Sequence, residues 1–185
     1  MKGVIFRAFL SHVDEEFGDE FTEQLIFESK LASGGSYTTV GTYDPVELFT
    51  MLGNLSSKTG IAVTTLLRNF GEYLFGFLVK TYPDVIHYAQ GPFALISTID
   101  NHIHVEVKKL YPEAVLPVFK FEYEGEDCMI LRYESERALP DLAEGLLRGC
   151  FNHFDQPAEI VWEDISGGKN SIVNFRLRLL EITDG

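Results

Sequence analysis

Two histidines two residues apart, His102 and His104, are the first place where this sequence could hold a metal. Imidazole is the commonest protein ligand to metal ions. On a strand, residues i and i+2 share a face and chelate one ion together; on a helix they lie about 200° apart and cannot. The stripe Ile96, Ile99, Ile103, Val107 and Leu110 argues for a helix, so at most one of the pair points inward. Residue types alone leave the two equal, flanking Ile103, and favour for each an ordinary surface or core histidine over a ligand. His12, His87 and His153 complete the set. None stands in a His-Glu-x-x-His or Cys-x-x-Cys-His context, so zinc hydrolysis and covalent haem attachment lack support.

The second candidate is the run Tyr133-Glu134-Ser135-Glu136-Arg137. If the chain stays extended, Tyr133, Ser135 and Arg137 project from one side. A phenol, a hydroxyl and a guanidinium in a row suit a carboxylate-bearing ligand, because the arginine fork pairs bidentately with a carboxylate. The bland alternative is a polar strand edge with Glu134 and Glu136 in water. The acidic runs Asp14-Glu15-Glu16 and Glu122–Asp127 read as solvated faces rather than paired catalytic carboxylates. There is no Gly-x-Ser-x-Gly, no phosphate-binding loop with lysine and no dinucleotide fingerprint.

The elements that must position these residues follow from pattern. Val4, Ile5, Phe9, Val13 and Phe17 form one helical stripe, and Phe21, Leu25 and Ile26 a second, stopped by the loop from Ala32 to Gly41. Asp44-Pro45 opens a helix through Leu55, and another runs from Val63 to Tyr82-Pro83. A single helix is predicted from about Phe93 to Leu110. After Pro117 the period becomes two: Phe119, Phe121, Tyr123, a turn at Gly125, then Met129, Leu131 and Tyr133 make a hairpin. Leu139 to Phe154 is helical again, and strands at Glu159–Glu163 and Ile172–Leu179 close the chain. The order predicts an α+β domain with one antiparallel sheet.

At 185 residues, with 15 Phe, 8 Tyr and 1 Trp, the chain has the means for one sizeable core and no linker to divide it. With 28 acidic against 15 basic residues it is strongly anionic, so no nucleic acid and no anionic lipid surface is expected as a partner. Cys128 and Cys150 are too few for a disulfide scaffold. The charged, histidine-bearing start is a poor signal peptide, and no apolar run is long enough to span a membrane. A reduced, cytoplasmic compartment is expected.

Together these features resemble the haem-nitric oxide/oxygen-binding (H-NOX) family, stand-alone bacterial relatives of the sensor domain of soluble guanylate cyclase. Four places carry the resemblance, which covers the whole chain. Ile99 to His104, followed by Leu110-Tyr111-Pro112, is similar to the proximal-ligand helix. Pro117 matches a proline that packs under the macrocycle, and Tyr133-x-Ser135-x-Arg137 matches the propionate-binding motif. Phe70-Gly71 resembles the distal helix.

The resemblance implies haem b, non-covalent Fe(II) protoporphyrin IX, buried between an N-terminal helical part (about 1–60) and a part carrying the haem ligand and a four-stranded sheet (about 61–185), with a helix between the hairpins. The axial ligand would be His104, seven residues before the Tyr-Pro pair, with His102 flanking. Tyr133, Ser135, Arg137 and Pro117 would bind the cofactor. The distal wall would comprise Ile5, Phe9, Leu74, Leu78 and Leu142. The distal tyrosine of oxygen-binding members falls at Leu142, and the rest of their polar network at Phe9 and Leu74. A wall that apolar implies binding of NO and CO with exclusion of O₂. Asp141 is expected to face outward. The implied function is a non-enzymatic NO sensor that acts by release of His104. Its output would pass to a separate sensor histidine kinase or diguanylate cyclase/phosphodiesterase. The alternatives are a haem enzyme consuming NO or peroxide, and a haem-less module for a carboxylate ligand.

Overall fold

Helices occupy the first half of the chain and a sheet wrapped by helices the second. The structure, a computed structural model, describes residues 1–86 and 88–181. Helices α1 (Gly3–Phe17), α2 (Asp19–Ser29), α3 (Pro45–Thr59) and α4 (Val63–Thr81) come first. Of the stripe read from the sequence, Val4, Phe9 and Val13 lie on the buried face of α1, joined there by Phe6 and Ala8, whereas Ile5 and Phe17 are only half-buried. Helix α3 is bounded as its sequence dictates. Asp44 caps it by accepting the Val46 N–H at 2.9 Å, Pro45 supplies the first turn, and Gly60 takes the left-handed conformation at its end (φ 73°).

The loop between α2 and α3 is fastened by one buried carboxylate. Glu47 accepts from the Ser33 N–H and hydroxyl and, at 2.6 Å, from the Tyr37 hydroxyl. Burial works against the charge, but these donors prevail and hold the Glu47 carboxyl below its ordinary range. Burial and the adjacent carboxylate push the Tyr37 phenol up.

The region predicted as one helix from Phe93 to Leu110 is three pieces. Helix α5 (Pro92–Ile96) is followed by a π turn over Ile99–Ile103 and then α6 (His104–Leu110). The reason lies in the backbone: Ile103 N–H reaches the Thr98 carbonyl and His104 N–H the Ile99 carbonyl, each five residues back. The extra residue in that turn re-aims every side chain after it.

Strands β1 (Val118–Tyr123), β2 (Cys128–Glu134), β3 (Ala158–Asp164) and β4 (Ile172–Leu179) form one antiparallel sheet in the order β1-β2-β4-β3. The α7 helix (Pro140–His153) lies between the two hairpins in sequence. Phe119, Tyr133 and Val173 share one row, and Phe121, Leu131, Phe175 and Trp162 the next, on the face turned to the helices. Each large apolar side chain buried there contributes about 1.5–3 kcal/mol.

Helices α4 and α7 cross at glycines. A Cβ on Gly145 would fall 2.1 Å from the Arg68 carbonyl oxygen, and one on Gly71 2.7 Å from Gly145 Cα. Two cores result. One unites α1 to α4 around Phe6, Phe9, Leu52 and Phe70; the other unites α5, α7 and the sheet around Met129, Phe151 and Phe175. Among the described residues no helix is long and apolar enough to cross a membrane.

Candidate functional site

His104 opens α6 immediately after the π turn, and its ring is largely buried, with 16% of the side chain exposed. Its Nδ1 lies 2.8 Å from Asp100 Oδ1, one turn back. A carboxylate only accepts, so Nδ1 carries the proton and Nε2 keeps its lone pair. The same carboxylate accepts, through Oδ2, the backbone N–H of Phe119 at 2.8 Å. Asp100 therefore joins the imidazole to the first turn of β1. The Phe119 ring packs against His104, with centroids 5.9 Å apart. Burial lowers the His104 pKa, with Asp100 opposing, which favours the neutral, ligating form.

His102 goes elsewhere. Its ring meets Tyr88 edge to face at 4.6 Å, on a different side of the turn from Asp100. The structure thus separates two histidines that residue types alone left equal. His12 stacks near Phe70 and Tyr73, and His153 lies against Phe75 and Phe154. His87 lies outside the described residues. No cluster of three or more metal-ligating His, Cys, Asp or Glu side chains exists among the described residues.

The row Tyr133, Ser135, Arg137 does not form by strand alternation. Strand β2 ends at Glu134, and Ser135 turns the chain by accepting the Arg137 N–H on its own hydroxyl. Ser135 and Arg137 still line one groove of about 470 Å³ with Val115, Leu116 and Ser171. There the Arg137 guanidinium donates to the Val115 carbonyl at 2.7 Å. Tyr133 is buried outside that lining, and its hydroxyl accepts the Leu139 N–H, tying β2 to the start of α7. Pro117 is half-buried in the segment that enters β1, two residues before Phe119.

Ile5, Phe9, Leu74, Leu78 and Leu142 come together from three helices. Phe9 and Leu74 are fully buried in the helical core, and Ile5, Leu78 and Leu142 pack partly buried against it. Asp141 does not face open solvent. It pairs with Arg68 of α4 at 3.3 Å, with 14% of its side chain exposed, and burial raises its pKa. Both cysteines are buried and free, and burial pushes the Cys150 thiol up to about 12, which makes it inert.

Two participants escape a reading by motif. Asp100 is visible as an acid four residues before a histidine, a helical pairing distance. The hydroxyls of Tyr82 and Tyr111 meet at 3.0 Å and fasten the end of α4 to the end of α6. Two isolated Tyr-Pro pairs are its whole trace in the sequence.

Residues 2–162 match the haem-NO-binding family. The chain belongs to that family. This H-NOX domain is 37% identical to the unliganded Fe(II) H-NOX protein of K. algicida, with a TM-score of 0.90 over 98% of this chain and 97% of that one. An S. oneidensis H-NOX protein in the Fe(II)NO state matches at 27% identity and a TM-score of 0.91, over 98% of this chain and 100% of that one. The S. woodyi H-NOX in the Fe(II)CO state matches at 36% and 0.83, over 96% and 94%. Soluble guanylate cyclase gcy-35 of Caenorhabditis elegans is 22% identical over 153 residues; the match takes 80% of this chain and 22% of that protein.

The residues present fit a haem. His104 offers one neutral nitrogen, oriented from behind by a carboxylate as metal-bound histidines usually are. At one groove Arg137 and Ser135 offer a cation and a hydroxyl, beside Glu134 and Glu136 of the same lining.

Proposed function

We propose that this H-NOX domain is a non-enzymatic sensor of nitric oxide. The observation that carries the reading is the Asp100 carboxylate, which fixes the His104 tautomer and leaves the Nε2 lone pair that would hold a haem iron. Haem b, when bound, supplies a ferrous iron with one protein ligand and one position for a diatomic gas. Arg137 and Ser135 would take the propionates, Arg137 exchanging its bond to the Val115 carbonyl for a charge-assisted pair. Tyr133 serves by holding the start of α7, and Pro117 by shaping the approach to β1. Cytoplasmic residence accords with two free cysteines.

Ligand choice follows from the wall formed by Ile5, Phe9, Leu74, Leu78 and Leu142. O₂ needs a hydrogen-bond donor to hold its partial negative charge, and these hydrocarbon side chains offer none. NO and CO need little such help.

Output would travel through the same contacts. Displacement of His104 would move Asp100, which holds the Phe119 N–H at the head of β1. The chain would hand that movement to a separate sensor histidine kinase or diguanylate cyclase/phosphodiesterase. The test is a visible spectrum of the ferrous protein in air and under anaerobic NO, with autophosphorylation of a candidate kinase as readout. A Soret band unchanged by air and shifted by NO is expected. A stable oxy form, sustained consumption of NO, or a colourless protein that cannot be reconstituted would overturn the reading.

A further inference from the structure

We propose that the free edge of β1, from Lys120 to Glu124, docks an extended, cationic segment of the signalling partner as an added strand. The partner's role as a receiver of the gas signal rests on the function proposed above; the docking edge rests on the sheet itself. Strand β1 is the first of the sheet and, among the described residues, pairs on one side only, with β2. The Glu124 N–H donates to the Cys128 carbonyl at 2.9 Å, so even-numbered residues turn their amides to β2 and odd-numbered ones turn them outward. The Phe119 N–H points that way and is taken by Asp100. Those of Phe121 and Tyr123 have no partner among the described residues.

The side chains at this edge are also unsatisfied. Phe121 and Tyr123 are 40% and 53% exposed and touch edge to face at 5.6 Å, with Phe93 6.1 Å from Tyr123. Exposed aromatics beside open main-chain groups are the two elements by which an edge captures a strand: hydrogen bonds for affinity, side-chain contacts for selection. Natural edges are blunted against such pairing by charges such as lysine, and the one lysine of this segment, Lys120, is drawn across the sheet to Glu134 at 3.6 Å.

Charge selects the occupant. Glu122, Glu124, Glu126 and Asp127 crowd the hairpin tip, and of these only Glu124 has a cation in range among the described residues, Arg176 at 2.9 Å. A second copy would bring a net charge of −13 against −13 and set carboxylate against carboxylate. A strand bearing Lys or Arg at alternate positions meets them with opposite charge. The location gives the edge its control: the carboxylate that orients His104 also grips β1 one residue before Lys120.

The test is an amide nitrogen–proton NMR titration of the CO-loaded ferrous protein with a capped peptide of alternating lysine and valine. Saturable shifts at residues 119–124 are expected. A lysine–proline peptide of equal charge, which lacks half the donors, should produce none. Tyr123→Pro removes an N–H that faces away from β2, so the Soret band and circular dichroism should stay while peptide affinity falls by up to about tenfold. Glu122→Lys should weaken binding comparably. Equal binding of both peptides, shifts confined to other surfaces, no saturable shift, or self-association through this edge would overturn the proposal. Peptide pairing in a protein indifferent to NO would uphold the edge and overturn the sensing function; an NO response without pairing would do the reverse.

Discussion

Asp100 and His104 stand four residues apart with Oδ1 2.8 Å from Nδ1, and the remaining carboxylate oxygen accepts the Phe119 N–H. An outer carboxylate raises the basicity of a ligating imidazole and fixes its orientation. Asp100→Ala removes both contacts at once. Haem affinity should fall by about 10- to 100-fold, the usual weight of such a partner. Transfer of haem to excess apomyoglobin measures it, and an unaltered rate would count against the assignment.

His104→Gly should lose the native ferrous spectrum and regain a five-coordinate one when imidazole is added. His102→Ala should leave the spectrum nearly intact, because His102 packs on Tyr88 and away from Asp100. The opposite pattern in visible spectroscopy would exchange the roles of the two residues.

His12 makes stability depend on pH. Its pKa is lowered by burial, against the pull of Glu16 and Glu15, and its Nδ1 is buried without a hydrogen-bond partner among the described residues. The unfolded chain therefore binds the proton more readily, and stability drops as pH falls through about 6.5. His12→Phe keeps the stacking and removes the titration. Urea midpoints at about pH 7.5 and about pH 5.8 should differ less in the variant than in the wild type.

Gly145→Ala tests the crossing of α4 and α7. The new methyl would meet backbone at 2.1 Å, so the helices must part. Overpacking of this kind costs about 1–3 kcal/mol, more than the gain in helix propensity from removing a glycine, about 0.5–1 kcal/mol. A lower melting temperature by circular dichroism is expected; Gly53→Ala, where nothing lies within 4 Å, should not lower it.

Leu142→Tyr would place a phenol at the edge of the helical core that contains Phe9 and Leu74. A weak, short-lived oxy spectrum is expected, since no neighbouring polar side chain of that wall orients the hydroxyl. A long-lived oxy form would show that the donor alone governs O₂ exclusion.

Much of this architecture was legible because each element advertises itself. Asp44-Pro45 and Gly60 bracket α3, and alternation at Phe119, Phe121 and Tyr123 marks β1. The break between α5 and α6 was not legible, because a π turn is made by carbonyls five residues back and Ile99–Ile103 carries no breaker. The same limit hid the turn at Ser135, where a hydroxyl folds the chain onto the Arg137 N–H. Resemblance singled out His104, whereas spacing alone left His102 its equal. Asp141 misled because an acid on an amphipathic helix normally meets water, and here Arg68 of the neighbouring helix meets it first.

The segment between α2 and α3 has the glycine and serine content of a slack tether, yet Glu47 clamps it from within through Ser33 and Tyr37. An insertion placed there for convenience would unseat a core ring. In this chain, abundance of small polar residues marks a buttress rather than a hinge.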